Sequence, residues 1–403
     1  MVDNRQIYDR GRDRISEQTH YARGYSAIKG LRVLIAGGGV AALESVLALR
    51  SVAPDDVAVT VLTGSKEFVY QPLTVLEPYQ PGATLHLAWS QLAAELGVAH
   101  IAGRLDAVDP DARQITSEEQ GQIDYDVLVV AIGGRRRELV PGALTVGTPG
   151  ADQAFAALLK DLRAGRPMRL SFVAPFGVAW SIATYELALL TAELVNRHGS
   201  SAELSVITAE REPLEVLGSE AAARVTALLA LAGVELECGR PVSGYQDGRL
   251  KIEAGRARSV DAAIALPGIM GRALPGVPRN QDDFIVVDEY GLVRGEDRIY
   301  AVGDVTDFAI KQGGVATQQA DAAASHIAAR AGADVTPAPF EPVLRAALLT
   351  GQGSLYVRRQ LAQGGETEIA DEPPWWPPAK IAGRYVAPFL ARWAEDAESR
   401  LSR

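Results

Sequence analysis

LRVLIAGGGVAALESVLAL, residues 31–49, decides the fold. Leu31 to Ala36 reads as a buried strand, three glycines interrupt it, and Val40 to Leu49 reads as a helix. A second apolar run, Val57 to Leu62, completes a βαβ unit, so a parallel sheet is expected. Gly37-x-Gly39-x-x-Ala42 sits at the join. Gly37 permits the tight turn, Gly39 lets a pyrophosphate approach the backbone, and Ala42 lets helix and strand pack closely. The free N–H groups from Val40 onward then face the phosphates. In this strand–turn–helix context the pattern predicts a dinucleotide site. The acid expected at the end of the second strand is missing, because VTVL runs into Thr63-Gly64-Ser65. Thr63 and Lys66 are the candidates beside the adenosine. A hydroxyl can still bond a ribose hydroxyl, though less strongly than a carboxylate.

Further along, Tyr125 to Ile132 reads as a strand ending in Gly133-Gly134. Arg169 to Ala174, a helix from Ser181 to Asn196, and strands at Leu204–Thr208, Val234–Cys238 and 262–268 repeat the strand–helix–strand plan. Ile285–Asp288 and Ile299–Val302 read as strands, 313–330 as a helix, and 345–358 as two strands around a glycine-containing turn. The formal net charge of −10 disfavours general nucleic-acid binding. One cysteine, Cys238, excludes an intrachain disulfide. The five histidines, at 20, 86, 100, 198 and 326, have no metal-ligand spacing, so no metal is expected. Residues 1–30 are polar, with no apolar core of the secretory kind, and the run Val178–Val195 is too polar to span a bilayer. A cytoplasmic protein is the expectation.

Three motifs in order, GGGVAA (37–42), YDVLVVAIGG (125–134) and IYAVGDV (299–305) followed by KQGGVATQQA (311–320), resemble the FAD-dependent pyridine nucleotide–disulfide oxidoreductase superfamily. EFVYQPLTVLEP (67–78), the KxGG turn and the C-terminal segment look most like its sulfide:quinone oxidoreductase and type II NADH dehydrogenase branch. The resemblance covers roughly residues 31–360. It implies an α/β fold with two Rossmann-like, three-layer dinucleotide-binding domains, the FAD domain being split around the second. The implied boundaries are an N-terminal arm at 1–30, FAD domain at 31–145 and 276–335, a second domain at 146–275, and a C-terminal hairpin and amphipathic helix at 336–403. Gly37, Gly39, Val40 and Ala42 would then hold the pyrophosphate. Ala131 and Gly133 would run beside FAD, and Gly303-Asp304 would bring an acid to the ribityl chain or pyrophosphate. Lys311, Gln312, Gly313 and Gly314 would lie along the isoalloxazine, with Lys311 and Gln312 as the candidate catalytic residues. A reduced flavin carries negative charge over N1 and the C2 carbonyl, and a bare helix start offers unpaired amides and roughly half a positive charge. Taken alone, Lys311 is also an ordinary loop lysine, and Asp304 an ordinary cap or turn residue.

In the resembling enzymes that use NAD(P)H, the second domain has its own glycine turn. Here the corresponding place reads SFVAPFGVAWS, with Gly177 alone among Pro175, Phe176 and Trp180. A nicotinamide cofactor in the usual pose is therefore not expected. Cys238 shares a strand face with Val234 and Leu236 and reads as a packed side chain, so the sulfur chemistry of the branch is not carried over. Arg135-Arg136-Arg137 reads either as a solvated turn or as an anion or partner contact. Ile381, Tyr385, Phe389 and Trp393 form a stripe that suits packing within the chain, a homodimer contact or a peripheral membrane surface, with Pro388 expected to kink the helix. The leading functional expectation is electron transfer from a small-molecule donor through FAD to a quinone-like acceptor. An NAD(P)H-dependent reductase and a non-catalytic FAD-stabilised scaffold or sensor are the alternatives.

Overall fold

The computed structural model describes residues 30–148, 150–253, 256–362 and 365–401. Apart from Gly30, the expected N-terminal arm lies outside them. Leu31–Ala36 is the centre of a five-stranded parallel sheet ordered Ile299–Ala301, Val127–Val130, Leu31–Ala36, Val57–Thr63, Ala99–Ala102. Its alternation separates two faces. Val33 and Ile35 join a core built with the helices Val40–Val52 and Gly313–Arg330, while Leu34 and Ala36 turn to Ile115, Tyr125 and Ile285.

The edge strand at 299 is reached only after the chain has built a second five-stranded parallel sheet, ordered Leu144–Thr145, Ala262–Ala265, Met168–Ala174, Ala202–Thr208, Val234–Glu237. The helix Ile182–His198 packs against it and is buried along most of its length. The fold is α/β, with two open parallel sheets. The chain crosses between them on an antiparallel ribbon, the exposed Arg135–Arg137 against the more buried Gly268–Met270, so the arginine run is a strand rather than a turn.

Other expectations need correction. Ile285–Asp288 makes only isolated bridges, from Ile285 to Arg279 and Thr306 and from Val287 to Val293. Cys238 falls just beyond its strand and is half-buried. The hairpin Val343–Leu349/Ser354–Gln360 carries a third strand, Thr367–Ala370. Antiparallel meanders at 107–124 and 242–259 also had no recognised signal. The last helix starts only at Val386, which puts Pro388 in its first turn, where the missing N–H costs no intrahelical bond and no kink is required. Its stripe packs inward, since Ile381, Val386, Phe389 and Leu390 are all buried in the first core. No helix among the described residues is long and apolar enough to cross a membrane.

Residues 379–386 form a strap fastened to both halves of the molecule. Lys380 Nζ lies 2.6 Å from Glu186 Oε1 on the Ile182–His198 helix, and both side chains are almost fully buried. The Ile381 N–H donates to the Tyr70 hydroxyl at 2.8 Å. The N–H groups of Tyr385 and Val386 donate to the two carboxylate oxygens of Glu44, at 3.0 and 2.5 Å.

Glu186 keeps one oxygen, Oε2, without a partner, so removing the lysine would strand a buried charge. Lys380→Met is expected to cost about 3–5 kcal/mol in urea unfolding. The double variant Glu186→Leu/Lys380→Met is expected to recover most of that loss. Equal stability of wild type and the single variant would show that the pair does not close the strap.

Candidate functional site

Three separated segments meet because glycines let their backbones touch. Gly37 has φ +146°, and a Cβ placed there would stand 2.1 Å from the Ala131 carbonyl oxygen, so the first turn is locked onto the end of the Val127–Val130 strand. Gly303 has φ +80°, and its missing side chain makes room for Ala41 and Ala316, whose Cβ atoms lie 3.1 and 3.5 Å from where its own would be. Gly313 sits against Val40 and under Ile381, whose Cδ1 is 2.3 Å from the position a Cβ would take. The starts of the Val40–Val52 and Gly313–Arg330 helices are thereby brought side by side.

Neither start is capped by a side chain. Gly39, the N-cap of the first, faces open space, as does Gly133. Gln312, the N-cap of the second, is 8% exposed; its amide donates to the Arg345 carbonyl at 2.6 Å, while Oε1 is buried with no donor. Gln319 holds the neighbouring turn by accepting from the Gly303 N–H at 2.8 Å. Asp304 receives no protein hydrogen bond among the described residues. Burial pushes its carboxyl up, against the opposing pull of Lys311 and Arg136. Lys311 donates to the Thr306 carbonyl at 2.5 Å and lies over the Phe284 ring, 3.9 Å from its centroid. Burial lowers Lys311 to about 8, against Asp304 and Asp307, which raise it. Open space at two glycines, two uncapped helix starts, a free carboxylate and an orphaned amide oxygen together fit a dinucleotide lying across the helix starts.

The adenosine end is less open. Thr63 is 4% exposed, and its hydroxyl accepts from the Ser65 N–H at 3.1 Å, closing a local turn. Lys66 is exposed, and its carbonyl accepts from the Trp89 N–H. Arg104, which sequence reasoning missed, packs its stem over Gly64, with Cγ 2.6 Å from the place of a Cβ.

In the second sheet the turn at 175–181 points Phe176 into solvent, 82% exposed. Glu210, at the end of the neighbouring strand, already accepts from Ser181 Oγ at 2.9 Å, the Tyr185 hydroxyl at 2.6 Å and Thr208 Oγ1 at 3.1 Å. An acid in the ribose-binding position is thus consumed by its own domain. Burial, then Glu210 and Glu212, raise the Cys238 thiol, which disfavours a reactive thiolate.

Residues 31–320 match the family model described as pyridine nucleotide-disulphide oxidoreductase. Among curated relatives, oxidoreductase ptaL of Pestalotiopsis fici is 24% identical over 217 residues, 51% of this chain and 53% of that protein. An NADH dehydrogenase-like protein of Mycobacterium tuberculosis is 25% identical over 224 residues, 52% of this chain and 55% of that protein. The chain spans about half the length of these curated relatives. Among solved structures, the sulfide:quinone oxidoreductase of Aquifex aeolicus superposes with a TM-score of 0.76 at 18% identity, covering 85% of this chain and 87% of that one. At that identity the likeness shows the fold.

Burial pushes Glu44 up to about 7, against the lowering pull of the Tyr385 and Val386 N–H groups and of Asp321. Burial, then the Glu44 charge, raise Asp321 as well, against Arg384. A folded value above the unfolded one means that this stabilisation is full below the ordinary carboxylate range and is lost as pH rises through about 7. The urea midpoint is expected to fall between about pH 5 and about pH 8, and Glu44→Gln is expected to flatten that fall. An unchanged slope in the variant would rule Glu44 out as the source.

Proposed function

The chain belongs to the pyridine nucleotide-disulphide oxidoreductase family, and on that premise we propose that it holds FAD across residues 37–42, 131–134 and 303–314. Electrons pass from a small-molecule reductant to a quinone-like acceptor, without a redox disulfide. The observation that carries this reading is the pair of adjacent uncapped helix starts, at Val40 and Gly313. Bound FAD supplies the electron-transfer chemistry. The N–H groups of Val40 to Ala42 bind the pyrophosphate, with Gly37 and Gly39 giving access. Asp304 accepts from a ribityl hydroxyl. Thr63 and Lys66 flank the adenosine, now with Arg104 beside them. The start of the Gly313–Arg330 helix favours negative charge at the pyrimidine edge of the isoalloxazine. Lys311, lowered to about 8 by burial, holds a proton close to Asp304. The engaged Glu210 and the Pro175-Phe176 turn support a donor other than a conventionally bound nicotinamide.

The purified protein is expected to be yellow, to bleach with a suitable small reductant under anaerobic conditions, and to reoxidise faster when a soluble quinone is added. No acceleration by any quinone would sink the acceptor assignment. Rapid bleaching by micromolar NADH or NADPH would sink the donor assignment. Gly37→Ala, which drives a methyl into the Ala131 carbonyl, is expected to weaken FAD retention by about tenfold or more, or ~1.4 kcal/mol, measured as flavin absorbance after gel filtration.

A further inference from the structure

A cleft of about 280 Å³ opens between the 71–78 segment and the second sheet with its helices. Its lining is mixed, with Val146, Phe155 and Leu187 forming an apolar part and Gln71 and Thr74 adding polar groups. One end carries two charges, Arg136 and Asp152. They form no ion pair with each other or with any other described residue. Both are instead fastened to Gly147. Arg136 Nη1 donates to the Gly147 carbonyl at 2.7 Å, and Asp152 Oδ1 accepts from the Gly147 N–H at 3.1 Å. Arg136 Nη2 makes one further, long contact, 3.4 Å to Gln71 Oε1. Gly147 has φ +72°, and a Cβ there would stand 2.5 Å from Arg136 Nη1, so the guanidinium lies directly on the glycine.

A guanidinium and a carboxylate are thus held apart by the N–Cα–C–O frame of a single residue. A free α-amino acid carries the same frame, with an ammonium at one end and a carboxylate at the other. We propose that this cleft binds a zwitterionic α-amino acid with an apolar side chain. Its carboxylate lies on the remaining edge of Arg136, its ammonium on the second oxygen of Asp152, and its side chain against Val146, Phe155 and Leu187. An uncharged apolar ligand would desolvate both charges without pairing either. A simple acid would meet Asp152, and a simple amine would meet Arg136. The cleft is just smaller than the roughly 300–1,000 Å³ pockets of drug-sized ligands, which suits a metabolite of amino-acid size. Arg–carboxylate contacts of this kind are among the stronger, better-oriented polar interactions.

Titration calorimetry on the full-length protein as purified tests this with L-leucine, isocaproate and isoamylamine as probes. L-Leucine is expected to bind saturably and at least tenfold more tightly than either single-charge analogue. Arg136→Gln and Asp152→Asn are each expected to weaken L-leucine by about tenfold; both side chains are exposed, so the melting temperature should hold. Val146→Trp, which fills the apolar part and leaves both charges in place, is expected to abolish the heat of binding. Equal affinity for isocaproate and L-leucine, wild-type affinity in Arg136→Gln, or no heat with L-leucine, L-valine or L-phenylalanine would each overturn the proposal. FAD content plays no part in the readout, so loss of the flavin assignment would leave this result standing.

Discussion

Two helices begin at one place, and the rest of the molecule is arranged around that fact. The N-termini at Val40 and Gly313 each present unpaired N–H groups and a partial positive charge, and side by side they repel. Contact this close needs glycine and alanine at the crossing, where Gly303 meets Ala41 and Ala316. It also needs negative charge to offset the repulsion. The acids nearby, Asp304 in the adjacent turn and Glu44 and Asp321 farther along the two helices, are all pushed toward the protonated form by burial and supply little of it. A dinucleotide pyrophosphate laid across the two starts would offset much more of it. The same geometry accounts for the small residues at the crossing and suits an anion above it.

Apart from one edge strand, the second sheet repeats the strand order of the first. Its strand–turn–helix junction carries a single glycine, Gly177, and its strand-end acid accepts from three hydroxyl donors. Its helices supply Glu186 to anchor the strap and contribute Phe155 and Leu187 to the cleft beside the 71–78 segment. The core of the second sheet, from Leu170 to Ile264, is built without Pro175, Phe176 or Gly177.

Much of this was legible in the chain. The strand at 31–36, the glycine turn and the helix at 313–330 declare themselves because apolar periodicity and glycine spacing are local properties. Ile285–Asp288 misled because an apolar run reads as a strand whether or not a neighbouring strand stands beside it; here only single bridges form. The short meanders escaped because strands of three to five residues carry too little alternation to be read. Glu44 and Glu186 left a visible sign, a lone acid within an apolar helical run, and that pattern could have marked them as paired and buried. Their partners could not be read, because Lys380 lies 194 positions from Glu186 and the amide of Val386 lies 342 from Glu44. Arg136 was seen as one of three arginines, and only the crossing ribbon and Gly147 distinguish it from its neighbours.

The strap has a consequence for biogenesis. Ile381 roofs Gly313, and Lys380 and Val386 clip that roof to the Ile182–His198 and Val40–Val52 helices, yet all three residues leave the ribosome after every wall they cover. The nascent chain thus has an interval in which both parallel sheets can form while the groove above Gly313 is still uncovered. On the proposed flavin reading, a bulky prosthetic group would enter during that interval without prising open a finished protein, and docking of the strap would then shut it in.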